Sequence, residues 1–311
     1  MTGWKQAFKL GTRKSRLALA QTTEALVALK KKFPSTKFKI VPVSTFGDEF
    51  QSVEIFKRGR EGVFTKAIEK ELLAGRIDLA VHSLKDLPTR LTKGLKLAAV
   101  LKRADTADIL ITKKGFSLKS LPLGAKVGTG SLRRREQLRR LRPDLRIEAL
   151  RGNLDSRVAK VLKENCLDAV IVAAAGIGRL KRYLKFTKRI PQKTILPAVG
   201  QGAIALQARS SDKTVLGMAA AVNHRLTELS IRAERAFLSA VHGGCRVPIG
   251  VLTKISNGKI RIEAAVFSVS GDRSLRAVSN GPFDKPESVG RALARKLLQK
   301  GAARLLRQAR S

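Results

Sequence analysis

Residues 78–88 read DLAVHSLKDLP, and this stretch points to the class of fold. Its first six residues form a short, mostly apolar run, which is typical of a strand buried on both faces of an α/β sheet. The strand runs directly into Lys85 and Asp86, and the following Pro88 predicts a turn. Polar groups that follow such a strand lie at the carboxyl edge of the sheet, where open α/β proteins bind their ligands.

Strand and helix patterns alternate on both sides of this stretch. Short runs with strand character lie at residues 8–12, 38–43, 108–112, 126–128, 146–150, 168–173, 199–209, 247–252, 261–266 and 275–278. Apolar residues at helical spacing occupy segments that begin near residues 15, 63, 131, 153, 226 and 287. The last of these segments predicts one long helix over about 287–307. This order predicts two α/β units followed by a small α+β domain.

The composition combines an ordinary hydrophobic content with a large excess of positive charge. Hydrophobic residues make up 43% of the 311 residues, which excludes a mostly disordered chain. Lysine and arginine number 63 against 24 acidic residues, which gives a formal net charge of +39. Such a charge predicts attraction to a polyanion, whether nucleic acid, an anionic membrane or a ligand with several carboxylates.

Cysteine and histidine are too few to suggest a disulfide framework or a zinc site. The two cysteines, Cys166 and Cys245, form no C-x-x-C pair, and only three histidines accompany them. The longest nearly apolar stretch, residues 169–178, is shorter than the roughly 20 residues of a membrane span. The N-terminal residues lack the apolar segment of a secretory signal. We therefore expect a cytoplasmic protein without a bound metal ion.

A glycine-rich turn between a predicted strand and a predicted helix is a candidate anion site. Residues 128–134 read GTGSLRR, so the free N–H groups of the first helical turn would point at a ligand. The dinucleotide fingerprint G-x-G-x-x-G fails here, because Arg133 stands where the third glycine belongs. A guanidinium at that place binds carboxylate or phosphate in a bidentate manner. The alternative is a glycine turn with solvated arginines.

Two more strand-to-helix junctions carry basic residues. Arg151 precedes Asn153 at a predicted helix start, with Arg157 on the same helix, and Arg13 with Ser15 repeats this arrangement near the N-terminus. Each junction alone is a common surface feature. If the two α/β units face each other, the three junctions surround one cleft for a ligand with several negative groups.

Asp86 and Cys245 are the candidate reactive groups. Asp86 follows the predicted buried strand, where a carboxylate can stabilise positive charge or accept a proton. The alternative is a turn-forming aspartate paired with Lys85. Cys245 follows two glycines and precedes Arg246, a setting that favours a nucleophilic thiolate, and the alternative is a packing residue. We interpret Cys166 as structural.

Seven blocks, taken in order along nearly the whole chain, resemble the porphobilinogen deaminase family, whose members are also called hydroxymethylbilane synthases. The blocks are GTRKSRLAL at 11–19, GVFTK at 62–66, DLAVHSLKDLP at 78–88, GTGSLRR at 128–134, LRGN at 150–153, LPAVGQGA at 196–203 and GGCRVPIG at 243–250. A chance match of seven ordered blocks is implausible.

The resemblance implies an α/β fold with two periplasmic-binding-protein-like (type 2) domains around a cleft and a small α+β third domain. Domain 1 would cover residues 1–103 and 200–220, domain 2 residues 104–199, and domain 3 residues 221–311. The implied activity is that of a transferase of tetrapyrrole and heme biosynthesis. It joins four porphobilinogen molecules head to tail, with loss of ammonia, onto a cysteine-linked dipyrromethane primer, and hydrolysis then releases hydroxymethylbilane. The resemblance also implies a monomer that needs no metal, nucleic acid or membrane.

The resemblance implies roles for individual residues as well. Cys245 would carry the dipyrromethane through a thioether, and Asp86 would be the catalytic residue that stabilises the cationic azafulvene formed when porphobilinogen loses ammonia. Further cofactor-binding residues would be Lys85, Thr129, Ser131, Arg133 and Arg134. The substrate-binding residues would be Arg13, Ser15, Phe64, Arg151, Arg157 and Arg179, of which Phe64 packs against a ring and the others hold acetate and propionate groups.

The charge of the growing product accounts for the arginines but not for the whole positive excess. Four additions to a two-ring primer place about twelve negative charges inside one protein, a cost that arginine pairing must offset. A net charge of +39 exceeds what such a pocket requires, so we also expect non-specific association with polyanions. Glu61 departs from the family pattern, which often has a lysine at that place.

Two other classes of protein remain as alternatives at this point. A nucleic-acid-binding protein fits the charge, but aromatic residues make up only 5% of the chain and offer little material for stacking on bases. An anion-binding receptor of the same two-domain fold is disfavoured by the expected third domain with Cys245 and by the missing signal segment.

Overall fold

The computed structural model describes residues 7–44, 65–243 and 247–309. The chain divides into two compact units, one formed by Met1–Ala104 with Ala203–Glu228 and the other by Asp105–Gly202 with Leu229–Ser311. The polypeptide therefore passes from one unit to the other three times, and neither unit is a continuous piece of sequence.

The described part of the chain contains thirteen strands, nine α-helices and two short 3-10 turns. The strands are β1 (Phe8–Arg13), β2 (Phe38–Val43), β3 (Leu79–Ser83), β4 (Leu95–Val100), β5 (Asp108–Thr112), β6 (Lys126–Gly128), β7 (Arg146–Glu148), β8 (Ala169–Ala173), β9 (Thr187–Ile190), β10 (Ile204–Arg209), β11 (Ile249–Ser256), β12 (Lys259–Phe267) and β13 (Ser274–Pro282). The helices are α1 (Arg16–Lys32), α2 (Lys66–Leu73), α3 (Leu132–Leu141), α4 (Leu154–Leu162), α5 (Ala174–Leu180), α6 (Lys213–Ala220), α7 (Arg225–Ala240), α8 (Pro286–Gln299) and α9 (Ala302–Gln308). The 3-10 turns are Leu84–Asp86 and Leu184–Phe186.

The first unit is built on a five-stranded mixed sheet with the order β2-β1-β3-β10-β4. β1 runs parallel to both β2 and β3, whereas β10 runs antiparallel to both β3 and β4. One apolar cluster joins Leu29 of α1 to Leu206 of β10, and another joins Leu72 of α2 to Ala80 of β3. β3 is buried on both faces, as its sequence predicts.

The second unit repeats this topology. Its sheet has the order β7-β6-β8-β5-β9, with β6 parallel to β7 and β8, and with β5 antiparallel to β8 and β9. In both sheets the antiparallel strand lies next to an edge strand. It is the first strand that the chain forms after it has passed from one unit to the other. β5 lies just after the first passage, and β10 lies just after the second. The carboxyl ends of the three parallel strands therefore meet at one edge of each sheet.

A separate three-stranded antiparallel sheet, β11-β12-β13, forms the C-terminal part of the second unit. Its core packs Phe237 of α7 against Leu293 and Leu297 of α8, and all three side chains are fully buried. The predicted single helix over 287–307 is wrong, because the chain breaks it into α8 and α9. Gly301 lies between them with φ of 92°, a left-handed conformation that ends a helix and that glycine adopts without steric cost.

The topology confirms the predicted α/β class, with two mixed five-stranded sheets and a small antiparallel C-terminal part carrying helices. Within the three described ranges, no helix combines the length and the apolar content that crossing a membrane would require.

The contact between α7 and α8 depends on a glycine and gives a test of this packing. A Cβ at Gly290 would overlap the carbonyl oxygen of Ala233 and lie 3.0 Å from the backbone nitrogen of Phe237, so an alanine there would push the helices apart. We expect Gly290→Ala to lower the free energy of unfolding by about 1–3 kcal/mol. Urea titration measures this loss.

Gly217 of α6 provides the matched control, since nothing lies within 4 Å of a Cβ built there. Gly217→Ala should leave stability unchanged or raise it by up to about 1 kcal/mol, because alanine has the higher helix propensity. Equal effects of the two substitutions would contradict the close helix contact.

Candidate active site

Four of the predicted site residues lie at the carboxyl edge of the first sheet. β1 and β3 are parallel neighbours, with Leu10 in register with Leu79, so their carboxyl ends meet at one edge. Arg13 is the last residue of β1, and the 3-10 turn that follows β3 contains Lys85 and Asp86. Ser15 caps α1, since its hydroxyl accepts a hydrogen bond from the backbone nitrogen of Ala18 at 3.3 Å.

The 3-10 turn that carries Asp86 is fixed by contacts on either side of it. The backbone nitrogen of Leu84 donates to the carbonyl oxygen of Ala203 at 3.0 Å, and the hydroxyl of Ser83 donates to Gln21 Oε1 at 3.0 Å. Leu84 and Leu87 are buried, whereas Asp86 is half-buried. The two leucines anchor the turn in the core, and Asp86 stands between them with access to solvent.

A buried polar network lies behind this edge, and no local sequence pattern predicted it. His82 Nε2 lies 3.0 Å from Gln207 Oε1, and Gln207 Nε2 donates to Glu69 Oε1 at 2.8 Å. Thr92 Oγ1 donates to the other carboxylate oxygen of Glu69, also at 2.8 Å. Because Gln207 gives its amide hydrogens to Glu69, its oxygen can only accept, so we assign the Nε2 proton to His82.

Burial keeps the His82 imidazole uncharged. Its removal from water lowers the pKa of His82, and neither the hydrogen bond with Gln207 nor the negative charges of Glu69 and Asp86 reverses the shift. The local signal available in the sequence was a single histidine in an apolar strand. Its partner lies 125 residues away along the chain, so no local pattern identifies it.

A second group of predicted residues lies at the carboxyl edge of the second sheet. Thr129 and Ser131 follow β6, and Arg151 follows its parallel neighbour β7. The two loops continue the pairing of their strands, because the backbone nitrogen of Thr129 donates to the carbonyl of Glu148 at 2.9 Å and that of Leu150 donates to the carbonyl of Thr129 at 3.3 Å. Arg151 is exposed at this edge, whereas Thr129 is buried.

Two helices begin at the same edge of the second sheet. The Asn153 side chain caps α4 by accepting from the backbone nitrogen of Ser156 at 2.9 Å. Ser131 at the start of α3 makes no such side-chain hydrogen bond, and the first turn of α3 contains no acidic residue. The uncapped N–H groups and the positive end of the helix dipole favour a negative group at the start of α3.

Gly130 allows the two loops to approach each other. A Cβ at this position would overlap the carbonyl oxygen of Leu150, so no larger residue fits without moving the backbone. Arg157 lies close by, and its Nε donates to the carbonyl of Gly152 at 2.8 Å. The GTGSLRR turn is therefore required for close packing of the loops as well as for presenting N–H groups.

Arg133 and Arg134 are buried, so the alternative of solvated arginines is wrong. Arg133 Nη1 lies 2.8 Å from Asp108 Oδ2, and Arg134 Nη2 lies 2.8 Å from Asp108 Oδ1. Only 4% and 5% of the two arginines is exposed, and Asp108 is fully buried. Burial alone would raise the pKa of Asp108, but the charges of the two arginines outweigh it and hold the pKa well below its usual range.

Three predicted site residues remain: Arg179, which the structure describes, and Phe64 and Cys245, which it does not. Arg179 on α5 is half-buried, and its Nη2 donates to the carbonyl of Gly202 at 3.0 Å. Phe64 and Cys245, together with Glu61, lie outside the described residues. The structure thus gathers the predicted polar residues it describes at the carboxyl edges of the two sheets, or buries them beside those edges.

Comparisons with known proteins match nearly the whole chain. The family model described as "Porphobilinogen deaminase, dipyromethane cofactor binding domain" matches residues 8–217, and "Porphobilinogen deaminase, C-terminal domain" matches residues 228–299. The porphobilinogen deaminase of Moorella thermoacetica is 43% identical over 97% of this chain and 96% of its own. That of Synechococcus elongatus is 44% identical over 96% of this chain and 94% of its own.

A solved structure is similar at a lower level. A periplasmic binding protein with high arginine specificity from Salmonella typhimurium is 14% identical, with a TM-score of 0.39, over 74% of this chain and 96% of its own.

The lowered pKa of His82 predicts how stability changes with pH. In the unfolded chain a histidine has a pKa of about 6.5, so below that pH the unfolded chain binds more protons than the folded one. The free energy of unfolding should therefore fall as the pH drops from about 6.5 to 5, by up to about 1.4 kcal/mol per pH unit from this residue. His82→Gln should make that decline shallower, as measured by urea titration at several pH values. Parallel declines in both proteins would show that His82 is not held uncharged.

Proposed function

The chain belongs to the porphobilinogen deaminase family, and on that basis we propose which of its residues perform the reaction. It is an enzyme with porphobilinogen deaminase activity, which joins porphobilinogen units with loss of ammonia. The observation that carries the residue assignments is the gathering of basic groups and one accessible carboxylate at the carboxyl edges of the two sheets.

The residues of the second unit fit the dipyrromethane cofactor of the family. A dipyrromethane built from substrate units carries acetate and propionate groups, which need cationic and N–H donors. The start of α3 offers uncapped N–H groups with Arg133 and Arg134 in its first turn. The bound cofactor supplies the pyrrole end to which new units are added. We propose that Thr129, Ser131, Arg133 and Arg134, with Lys85 of the first unit, hold its side chains.

We propose that Cys245 forms the covalent bond to the cofactor. Its support is the block GGCRVPIG at 243–250, in which two glycines precede the cysteine and an arginine follows it, a sequence setting that favours a nucleophilic thiolate. The other thiol, Cys166, is exposed and donates to the carbonyl of Glu164 at 3.5 Å in the turn before β8. The Cys166 side chain therefore serves as the comparison for any thiol-specific measurement.

Asp86 is the group we propose for charge stabilisation. Loss of ammonia from porphobilinogen leaves an electron-poor ring, and a fixed carboxylate near the pyrrole N–H stabilises its cationic character. Asp86 is half-buried and held by a turn with buried leucines on both sides, so it needs little reorganisation. The neighbouring His82 is uncharged, so its ring does not neutralise the carboxylate.

The other basic residues are proposed to bind the carboxylates of substrate and product. They are Arg13, Ser15, Arg151, Arg157 and Arg179, and Phe64 is proposed to pack against a pyrrole ring. Each added ring brings two more carboxylates, so several separated cations serve better than one strong site. The three-domain division at residues 103/104, 199/200 and 220/221 is proposed on the same family pattern.

We also propose that the excess of lysine and arginine gives a weak, non-specific attraction to polyanions and that the protein is a cytoplasmic monomer. Lys30, Lys31 and Lys32 end α1, are exposed, and form no ion pair with a carboxylate of the described residues.

The proposed role of Cys245 predicts a defined covalent adduct. Intact mass of the purified protein should exceed the sequence mass by two pyrrole units, and Ehrlich's reagent should give a colour reaction. Cys245→Ser should lose both the added mass and the colour, because no thioether can form. Cys166→Ser should keep both. An unmodified wild-type chain, or an adduct that persists without Cys245, would contradict the assignment.

The proposed role of Asp86 predicts a loss of turnover without a loss of fold. Asp86→Asn keeps the size of the side chain but removes the charge, so we expect kcat to fall by at least about 100-fold. Asp144→Asn is the control, since Asp144 pairs with Arg142 away from either carboxyl edge and its removal should leave kcat unchanged. Ordinary turnover by Asp86→Asn would reject the assignment.

A further inference from the structure

Two guanidinium groups share one carboxylate inside the second unit, and this leaves an excess of positive charge. Arg133 and Arg134 contribute two positive charges, and Asp108 contributes one negative charge. All three side chains are at most 5% exposed, so water solvates the difference only weakly. A buried charge without a partner is costly, so the remaining positive charge favours the binding of one more anion.

The contacts of the two arginines fix their planes. Beside Asp108, Arg133 Nη1 donates to the carbonyl of Leu196 at 2.6 Å, and Arg134 Nη1 donates to the carbonyl of Ile171 at 3.2 Å. Gln201 Nε2 donates to Asp108 Oδ1 at 2.8 Å and so holds the carboxylate itself. Each guanidinium is therefore held at its terminal nitrogens.

Within the described part of the chain, the inner nitrogens of both arginines lack a hydrogen-bond partner, as does Asp108 Oδ2. Arg133 Nε and Arg134 Nε are buried, and neither has a hydrogen-bond acceptor among the residues that the structure describes. A buried N–H without an acceptor costs free energy that a carboxylate oxygen would recover. The charge excess and the two unused donors are independent observations, and both favour an added carboxylate.

We propose that Asp108 is a positioning residue for the cofactor site. It supplies the counter-charge that lets Arg133 and Arg134 fold into the unit before any cofactor carboxylate is present, and it orients their remaining N–H groups. This inference rests on the proposed role of the two arginines in holding the cofactor. Once a cofactor carboxylate binds, two guanidinium groups are matched by two negative charges, and the protein depends less on Asp108.

A comparison of stability with and without the cofactor tests this role. Asp108→Asn is made in the wild-type chain and in Cys245→Ser, which cannot form the thioether, and thermal midpoints are measured for all four proteins. Asp108→Asn should lower the midpoint by about 10 °C in the Cys245→Ser chain, because two buried charges are then unmatched. In the cofactor-bearing chain the fall should be less than half as large. Equal falls in the two backgrounds would overturn the proposal and leave Asp108 a merely structural residue.

Glu136, which lies on the same helix as Arg133 and Arg134, provides the matched control. It is also a fully buried carboxylate and pairs with two arginines, Arg135 and Arg139, neither of which is proposed to hold the cofactor. Glu136→Gln should lower the midpoint equally with and without Cys245. A cofactor-dependent effect of Glu136→Gln as large as that of Asp108→Asn would also overturn the proposal.

A charge-restoring variant keeps the test decisive if Asp108→Asn does not fold. Adding Arg134→Met to Asp108→Asn in the Cys245→Ser chain returns the buried charge to +1 and should restore soluble protein or raise the midpoint. Failure to improve on Asp108→Asn would show that charge balance is not the function of Asp108.

Pyrrole content measured by intact mass separates the two proposals. If the wild-type chain carries no adduct, the proposed function fails. If it carries the adduct and the falls in midpoint are equal, only the role of Asp108 fails.

Discussion

The pairing of Asp108 with Arg133 and Arg134 is the interaction on which the anion-binding edge of the second unit depends. α3 begins beside the predicted cofactor site, and its first turn carries both arginines into the interior. Two adjacent cations in a dry interior repel each other, and the negative charge of a single carboxylate, with one oxygen 2.8 Å from each guanidinium, makes their burial tolerable. Because Asp108 begins β5, the position of the arginines is tied to the central part of the sheet rather than to a surface loop.

The two sheets have the same topology. Each places three parallel strands so that their carboxyl ends meet, and each adds an antiparallel strand that arrives after a passage between the units. The first edge presents the carboxylate of Asp86, and the second presents mainly N–H groups and guanidinium groups. The first edge therefore combines the carboxylate proposed to stabilise a cation with two basic residues, Arg13 and Lys85, whereas the second edge carries groups suited to anions.

Local sequence was enough to predict eleven of the thirteen described strands, the strand-to-helix junctions and the polar residues that follow them, but it did not predict β4 or β9. The alternation around residues 78–88 predicts β3 and its turn, because burial and turn formation are local properties. Contacts between distant residues could not be predicted in this way. The partner of Arg134 is 26 residues upstream, and the partner of His82 is 125 residues downstream. The apolar periodicity also failed to predict the helix break at Gly301, because one left-handed residue ends a helix without disturbing the apolar pattern on either side.

β10 follows its two partner strands, β3 and β4, only much later in the sequence, and this has a consequence for synthesis on the ribosome. β3 and β4 do not pair with each other, and β10 lies between them, so the first sheet is incomplete when β4 leaves the exit tunnel. At about 5–20 residues per second, roughly 5–20 s pass before Ile204–Arg209 is translated. During that interval the nascent chain exposes two unpaired strand edges, which is the stage at which chaperone binding would protect it from aggregation.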